Sequence, residues 1–212
     1  MKWIRTFLGG VLAGISIAIG GTVFLSLEDK VLGALFFTVG LFAVCVFGFN
    51  LFTGKVCYVF DQDREYALGL PLIWLGNLAG AFLTATLERA TRIGPKLAEK
   101  AAALCEVKLA DGVWSILILA FFCNVLIWLA VEGYRNIPHP VGKYLSLFFG
   151  VAVFILCGFE HCVANMYYFS MAGMWSGKTL LWVLVMTLGN ALGGVCFPLL
   201  RKLQKGRKAE GN

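Results

Sequence analysis

Charge is what this sequence has least of. Only 14% of its 212 residues are Asp, Glu, Lys or Arg, against about 25% in a typical soluble domain. Hydrophobic residues make up 59% of the chain, and the mean hydropathy is +0.82. Because a soluble chain of this composition would expose large apolar patches and aggregate, the composition predicts a membrane protein and argues against a soluble helix-rich domain.

The sequence also lacks the motifs of common nucleotide-binding and catalytic sites. It has no Walker loop, no GxGxxG motif after a strand and no nucleophile elbow. Its seven cysteines include no CxxC pair and no Cys/His spacing typical of a metal site. We interpret them as small apolar packing residues, and we expect no metal and no cofactor.

Long apolar runs, by contrast, fill the chain. About 20 apolar residues suffice for a helix to cross the hydrocarbon core of a bilayer. Little of the chain lies outside such runs, so we expect one all-α transmembrane domain, 1–212, with any activity built inside the helix bundle. The six predicted spans are approximately 7–27, 31–60, 66–87, 112–131, 144–175 and 178–200.

The basic residues predict how the chain lies in the membrane. The tail 201–212 carries five of the 18 Lys and Arg residues, and the positive-inside rule places it in the cytoplasm. Six spans then place the N-terminus on the same side, although the outer segment 88–108 also carries five basic residues. We expect a multi-pass protein of the plasma (inner) membrane with both termini cytoplasmic. The net charge of +6 is interpreted as a topology signal, with no nucleic-acid partner.

The chain also repeats itself. The segment "WLGNLAGAFL" (74–83) in the third span resembles "TLGNALGGVCF" (187–197) in the sixth. Each half, about 7–88 and 112–200, then contains three spans. Because three is odd, the second half enters the membrane from the opposite side, which predicts inverted repeats of the kind found in many transporters and channels.

The second and fifth spans are too long for single helices. At 1.5 Å per residue, each would measure roughly 45 Å against a hydrocarbon core of roughly 30 Å. Both contain glycine and polar residues midway, "GFNLFTG" (48–54) and "GFEHCVANM" (158–166). A matched pair of interrupted spans predicts a binding site at the membrane midplane. The alternative is a pair of kinked helices held by local hydrogen bonds, without a substrate.

Five segments, taken in order, resemble the motifs of the formate/nitrite transporter family. They extend over all six spans: "LFTG" (51–54), "WLGNLAG" (74–80), "FFCNVLIWLAV" (121–131), "GFEHCVANM" (158–166) and "TLGNALGG" (187–194). The resemblance implies an aquaporin-like protomer of six helices, assembled as a homopentamer with one pore per protomer. It also implies a small monovalent anion as the substrate: formate, nitrite or hydrosulfide.

The resemblance further assigns individual residues to the pore. The central histidine of the family matches His161, and the threonine of its interrupted second span matches Thr53. A lysine 16 residues before an asparagine matches Lys108 and Asn124, and a second pore asparagine matches Asn165. The apolar constrictions match Leu41, Leu51 and Phe52 towards the cytoplasm and Phe37 and Phe154 towards the outside.

Side-chain chemistry gives each of these residues a role and an alternative. His161 suits reversible proton donation to an anion, but a core histidine could instead bond to the backbone. Thr53 can hold a substrate oxygen or cap the restarting helix. Lys108 can concentrate anions at the outer mouth or be a solvated surface lysine.

Glu160 and Gly54 are expected to shape the breaks. Sequence neighbours on a helix point in different directions, so we predict that Glu160 points away from the pore. There it would accept hydrogen bonds from the free backbone amides of the opposite break. The alternative for Glu160 is a salt bridge to a basic side chain.

The sequence therefore predicts a channel or transporter for a small monovalent anion, with formate crossing as its neutral acid after protonation at His161. Nitrite and hydrosulfide are alternatives within this class. An intramembrane enzyme that uses His161 and Glu160 as base and acid, or as metal ligands, is the alternative from another class. The second histidine, His139, lies in the loop "NIPHP" and offers such an enzyme little support. A membrane scaffold without transport activity is difficult to reconcile with two matched polar breaks.

Overall fold

The computed structural model describes residues 1–209, which are helical along nearly their whole length. These residues include no strand, so the all-α prediction is confirmed. A short 3-10 turn, Val59–Asp61, follows the fourth helix. The α-helices of the described chain are α1 (Lys2–Ser26), α2 (Lys30–Phe37), α3 (Val39–Phe47), α4 (Phe52–Val56), α5 (Arg64–Arg89), α6 (Gly94–Ala110), α7 (Val113–Asn136), α8 (Pro140–Leu156), α9 (Cys162–Ala172) and α10 (Gly177–Ala209).

Four predicted spans are single helices, namely α1, α5, α7 and α10. The second predicted span is divided among α2, α3 and α4, and the fifth is divided between α8 and α9. Within residues 1–209, five helical stretches are long and apolar enough to cross a bilayer, one of them formed by α2 and α3 together. The apolar helix Pro140–Leu156 is shorter than that, so a sixth crossing requires α8 and α9 together.

Short acidic side chains set where two of the helices start. Asp29 Oδ1 accepts hydrogen bonds from the backbone N–H groups of Val31 and Leu32, at 2.8 and 2.9 Å, at the start of α2. Asp63 caps α5 in the same way, through the N–H of Tyr66 at 2.8 Å. These bonds satisfy amide groups that have no partner within the first helical turn.

Glycines in the left-handed conformation end the helices on the N-terminal side of both breaks. Gly48, after α3, has a φ of 70°, and Gly158, after α8, has a φ of 71°. A side chain would strain this backbone conformation. After each glycine the chain folds back onto the helix that it leaves, with Phe49 N–H donating to Val44 O at 3.0 Å and Phe159 N–H donating to Phe154 O at 2.9 Å.

An asparagine on α5 holds the first break. Asn77 Oδ1 accepts a hydrogen bond from Phe52 N–H at 2.9 Å, at the start of α4. Its Nδ2 donates to the carbonyl oxygens of Asn50, at 2.9 Å, and Gly10, at 2.8 Å. One buried side chain thus satisfies backbone groups that the interruption leaves without helical partners, and it ties the break to α1.

Asn190 on α10 holds the second break by the same set of contacts. Its Oδ1 accepts from Cys162 N–H at 2.9 Å, and its Nδ2 donates to the carbonyl oxygens of Glu160, at 2.8 Å, and Ala120, at 2.7 Å. The backbone N–H of each break also reaches the neighbouring long helix, Asn50 to Gly9 O and Glu160 to Leu119 O. The paired positions, 9 and 119, 48 and 158, and 50 and 160, show that the two halves repeat the same contacts.

The glycine motifs of the two halves also pack alike. A Cβ added to Gly80 would collide with the backbone carbonyl of Val11, and one added to Gly193 would collide with that of Phe121. The missing side chains therefore let α5 approach α1, and α10 approach α7, at backbone contact. Small residues serve this purpose between membrane helices, where apolar burial alone gives little association.

The segment between the halves contains a helix that the spans did not predict. Residues Gly94–Ala110 form α6, which buries Leu97, Ala101 and Cys105 while its other side is exposed. This spacing is that of one apolar helix face. Helix α6 packs against α9 and carries Lys108 towards the second break.

Ion pairs distinguish two ends of the bundle. At the end that we call the terminal face, they join the start of α1, the segment before and at the start of α5, the end of α7 and the last part of α10. These pairs are Lys2 with Glu65, Arg201 with Glu132 and Lys202 with Asp61. At the opposite face, Glu28 pairs with Lys96 at 3.1 Å and Lys100 at 2.9 Å, which ties the loop after α1 to α6.

Candidate functional site

The two breaks meet at a contact between Thr53 and His161. Thr53 is the second residue of α4, His161 immediately precedes α9, and Thr53 Oγ1 lies 2.9 Å from His161 Nε2. Their exposures are 0% and 2%, so the contact is screened from bulk water. The interruptions thus bring a hydroxyl and an imidazole from distant parts of the chain to one buried point.

The other ring nitrogen of His161 defines its tautomer. Nδ1 accepts a hydrogen bond from the backbone N–H of Ala164 at 3.2 Å, which caps α9. A nitrogen that accepts such a bond carries no proton, so the proton of the neutral ring resides on Nε2 and points to Thr53. The Thr53 hydroxyl is then free to donate its own hydrogen to a further acceptor. The capping alternative considered for Thr53 is not observed, because α4 has no side-chain cap.

Aromatic rings cover His161 on the side of the opposite face. Phe154 stacks on the imidazole with ring centroids 5.7 Å apart, and Phe37 meets Phe154 edge to face at 6.0 Å. A cavity of about 120 Å³ adjoins these rings and is also lined by Lys108 and Asn165. The predicted outer constriction residues therefore lie together beside the histidine.

Lys108 and Glu160 form a buried ion pair next to this cavity. Lys108 Nζ donates to both carboxylate oxygens of Glu160, at 2.8 and 2.6 Å. Their side chains are only 11% and 5% exposed. Asn165 Nδ2 donates to the same carboxylate at 2.8 Å. Lys108 is therefore not a freely solvated charge at an outer mouth, and the interpretation of Lys108 as a surface lysine is wrong.

The hydrogen bonds predicted for Glu160, from the free backbone amides of the opposite break, are also wrong. Its carboxylate accepts from Lys108 and Asn165, whereas the free amides of the breaks are bonded by Asn77 and Asn190. An amide side chain suits that task because it donates and accepts at once, while an ionised carboxylate only accepts. The salt bridge considered as the alternative for Glu160 is what the structure contains.

Sequence reasoning missed the role of Asn77 and Asn190, although their signal was present. Both occupy the same position in the repeated "LGN" segments that revealed the two halves. A polar residue repeated at one position of an apolar helix indicates a buried hydrogen-bonding task. These two asparagines position the site and do not line it.

Two buried amide oxygens near the site have no partner among the described residues. They belong to Asn124 and Asn165. Asn124 Nδ2 donates to Thr53 O at 3.0 Å, and Asn165 Nδ2 donates to Glu160 and to His161 O. Since buried polar atoms normally find a partner, these oxygens are free acceptors for a further hydrogen-bond donor.

A second cavity, of about 390 Å³, opens on the side of the terminal face. Leu41 and Leu51 line it together with Gly54 and Lys55, which directly follow Thr53 in the chain. Both leucines are 1% exposed. Phe52, the third residue predicted for this constriction, is buried but does not line the cavity. The Thr53–His161 contact thus lies between two cavities, each bordered by apolar side chains.

Within residues 1–209, no group of three or more His, Cys, Asp and Glu side chains is arranged to hold a metal ion. Glu160 is committed to Lys108, and His161 is committed to Thr53 and to the backbone of Ala164. The site is therefore a hydrogen-bonded polar layer between apolar layers.

The sequence of this chain is similar to those of known membrane transporters. A family model described as Formate/nitrite transporter matches residues 1–202. The chain is 32% identical over 185 residues to "Uncharacterized transporter YrhG" of Bacillus subtilis, covering 80% of this chain and 69% of that protein. It is 30% identical over 226 residues to "Nitrite transporter NirC" of Salmonella typhimurium, with 92% and 79% covered.

Other relatives and solved structures agree. "Formate channel FocB" of Escherichia coli is 28% identical over 185 residues, covering 77% of this chain and 65% of that protein. The structure described as "Pentameric formate channel with formate bound" matches with a TM-score of 0.83 at 25% identity, covering 96% of this chain and 97% of that chain. A second, "FNT family ion channel", matches with a TM-score of 0.73 at 26% identity, with 92% and 86% covered.

The fold and these matches define an all-helical, multi-pass membrane protein of the transporter class, not an enzyme class. The chain belongs to the formate/nitrite transporter family, as its motifs predicted.

Proposed function

We propose that this chain is a channel that carries formate across the plasma (inner) membrane together with one proton, by way of His161 and Thr53. The observation that carries the proposal is the buried Thr53–His161 contact of 2.9 Å, which lies where two matched helix breaks meet. Its position between two apolar layers suits a substrate that is an anion in water and a neutral acid in the pore.

The apolar layers are a barrier to a bare anion. Leu41 and Leu51 on one side and Phe37 and Phe154 on the other offer no hydrogen-bond donors from their side chains. A charge at membrane depth costs about 2.5 to 3.5 kcal/mol even after relaxation, which slows passage roughly a hundredfold. Adding one proton to the anion removes that charge.

The hydrogen bonds of His161 determine how it would supply a proton. In the neutral ring Nδ1 accepts from Ala164 N–H, so uptake of a proton at Nδ1 requires that this bond be released. The resulting imidazolium passes its Nε2 proton to an anion oxygen, directly or through the Thr53 hydroxyl. The imidazole that remains is neutral, and the neutral acid leaves and dissociates on the other side.

The buried Lys108–Glu160 pair adds no net charge to the outer cavity, but its ammonium group would attract an anion locally. Lys108 is held by Glu160 and Asn165, so it attracts the anion as part of a fixed network. The unpartnered oxygen of Asn165 lines the same cavity and would accept the proton of the neutral acid. The unpartnered oxygen of Asn124 offers the same acceptor close to Thr53.

Formate is the substrate that we propose first, with nitrite and hydrosulfide as candidates of the same charge and similar size. Relatives are named for both formate and nitrite transport, at similar identities of 28% and 30%. The matched structure with a TM-score of 0.83 is a channel with formate bound. These findings favour formate and nitrite over hydrosulfide as substrates.

We further propose that the protomer has six crossings in two inverted repeats and assembles as a homopentamer with both termini cytoplasmic. The repeated contacts of Asn77 and Asn190 support the repeats, and the pentameric formate channel that matches this chain supports the assembly. The last part of α10, from Arg201 onwards, is basic, and Arg201 and Lys202 pair with acidic residues of the terminal face. This arrangement favours a cytoplasmic terminal face.

Flux into proteoliposomes tests the proposal. Labelled formate is expected to enter faster than nitrite and hydrosulfide, with internal acidification and without current across a planar bilayer. Uptake is expected to rise as the external pH falls, since both the anion and His161 are then more readily protonated. A large formate current without internal acidification would contradict proton-coupled passage, and no flux of any of the three anions would contradict the function.

A further inference from the structure

We infer that Lys55 and Arg135 form an anion-binding site in the 390 Å³ cavity of the terminal face. It would hold the small monovalent anion next to the Leu41–Leu51 constriction. The inference rests on the proposed function, because it adds a second site to the same pathway. Both cations line that cavity, and Lys55 follows Thr53 by two residues.

The two cations lack negative partners. Among the described residues, Lys55 Nζ makes no hydrogen bond or ion pair, and the only side chain bonded to Lys55 is Tyr66, through the Lys55 carbonyl. Arg135 lies over the ring of Tyr58, 4.5 Å from its centroid, and forms no ion pair within residues 1–209. Lys55 is partly buried, whereas Arg135 is exposed at the edge of the cavity. The cavity therefore gathers two positive charges that the described protein does not neutralise.

The acidic group that approaches this cluster is already engaged. Glu132 accepts from Tyr58 Oη at 3.0 Å and pairs with Arg201 at 2.7 Å. Its charge is therefore balanced by a third cation that does not line the cavity. Two like charges that line one cavity repel each other, and a bound anion reduces that cost while accepting charge-assisted hydrogen bonds from both.

The remaining walls limit what kind of anion fits. Tyr58, Tyr66 and Tyr134 present aromatic surface beside Leu41 and Leu51. The hydroxyl groups of Tyr58 and Tyr66 already donate within the protein, to Glu132 and to the Lys55 carbonyl. The volume exceeds that of a formate ion, so the site can hold a hydrated anion or a larger monovalent anion with an apolar body.

The outer cavity provides the contrast. Two lysines line it: Lys108 is neutralised at 2.6 Å by Glu160, and the exposed Lys30 donates to the carbonyl oxygen of Leu156 at 3.3 Å. The cavity of the terminal face has two cations without ion-pair partners among the described residues, Lys55 and Arg135, whereas the smaller outer cavity has only Lys30 besides the paired Lys108. The terminal face is therefore expected to bind monovalent anions more tightly than the opposite face. A large impermeant anion should then block formate passage from one side of the membrane only.

Benzenesulfonate is a suitable probe, because it is monovalent, stays ionised and does not cross a bilayer. Binding is measured by equilibrium dialysis of the labelled probe with the purified full chain in detergent. Inhibition of formate flux is measured with the probe on each side of sealed proteoliposomes. The wild-type chain is expected to bind the probe and to be inhibited only from the terminal face.

Lys55→Gln and Arg135→Gln are each expected to weaken probe binding about tenfold, the effect of losing one charge-assisted hydrogen bond. Arg64→Gln is the matched control, because Arg64 is an exposed cation of the terminal face that does not line the cavity. Lys55→Arg keeps the charge and is expected to keep the binding.

Equal binding by Lys55→Gln, Arg135→Gln and Arg64→Gln would overturn the inference, as would equal inhibition from both sides. Loss of binding in Lys55→Arg as large as in Lys55→Gln would assign the effect to packing and overturn it as well. If probe binding depends on Lys55 but the chain conducts no anion, the result supports this site and contradicts the proposed function. If the chain conducts formate but probe binding does not depend on Lys55, the result contradicts this site and leaves the proposed function supported.

Discussion

The two breaks share a scaffold and differ in chemistry. Gly48 and Gly158 end the preceding helices with nearly the same φ, and Asn77 and Asn190 bond equivalent backbone groups. The side chains inside the breaks do not match. Where the first break has Asn50 and Leu51, the second has Glu160 and His161, so only the second carries ionisable groups.

This difference separates what the fold requires from what the proposed proton-coupled passage would use. A backbone that is interrupted at membrane depth must have its free N–H and C=O groups satisfied, and this need is the same in both halves. The proposed proton exchange needs only one titratable group. The first break supplies Thr53 as its partner, and only the second break receives a lysine from α6, a helix that lies between the halves.

Replacing His161 tests the chemical side of this comparison and is expected to have the largest effect. His161→Ala should slow formate uptake at mildly acidic pH by at least about a hundredfold, because the anion then meets the apolar layers as a charge. His139→Ala is the control, since it removes the other histidine from an exposed loop. Uptake by His161→Ala at the wild-type rate would contradict the mechanism.

Lys108 tests whether the charged network belongs to the second break as a unit. Lys108→Met leaves Glu160 buried without its cation and should destabilise the protein by about 3 to 5 kcal/mol. The double variant Lys108→Met/Glu160→Gln should recover most of that loss. Unfolding in a denaturing detergent titration measures both values, and a double variant no more stable than the single one would contradict the pairing.

The flux of the same variant distinguishes a buried pair from a surface charge. Screening by salt weakens interactions between exposed charges and acts much less on buried ones. Since Lys108 is only 11% exposed, the loss of formate flux in Lys108→Met should be similar at low and high salt. A loss that shrinks at high salt would restore the view of Lys108 as a charge at an open outer mouth.

Asn77 and Asn190 test the shared scaffold. Each alanine variant leaves one buried amide and two carbonyls without a side-chain partner, so each should lose at least about 3 kcal/mol of stability, at roughly 1 to 3 kcal/mol per unsatisfied group. Asn136→Ala is a control, because it removes an exposed amide bonded to Glu132 O at 3.0 Å. Unequal losses at Asn77 and Asn190 would show that the halves are not held alike.

Much of this architecture could be predicted from the sequence, because apolar runs and repeated motifs are local signals. The all-α class, the two breaks and the family all followed from them. Helix α6 was missed because its apolar face is narrow and lies within a basic segment. The partner of Glu160 could not be predicted, since Lys108 reaches it only through the packing of α6 against α9.

The glycines that end α3 and α8 offer a smaller test of the scaffold. A Cβ at Gly48 or Gly158 meets no atom within 4 Å, so an alanine there costs only the left-handed conformation, about 1 kcal/mol. Gly112 is a matched control, because its surroundings are equally open and its φ is −85°. Equal losses of stability at Gly48 and Gly158, with none at Gly112, would show that both breaks depend on the same turn.

The smallest effect is expected where α6 is tied to the loop after α1. The ion pairs with Lys100 and Lys96 lower the pKa of Glu28 below its usual value of 4.5. A carboxyl whose pKa is lowered by folding adds stability above its unfolded pKa and loses it as the pH falls through the folded pKa. Glu28→Gln should therefore lower the unfolding temperature slightly at pH 7, and the difference from wild type should disappear well below pH 4.5. Glu99→Gln, at an exposed carboxylate of α6 that forms no ion pair within the described chain, should change the unfolding temperature at neither pH.

Because Lys108 lies on the same helix, formate flux through Glu28→Gln shows whether the ion pairs of Glu28 also position the second break. Unchanged flux would assign that positioning to the contacts of α6 with α9 alone.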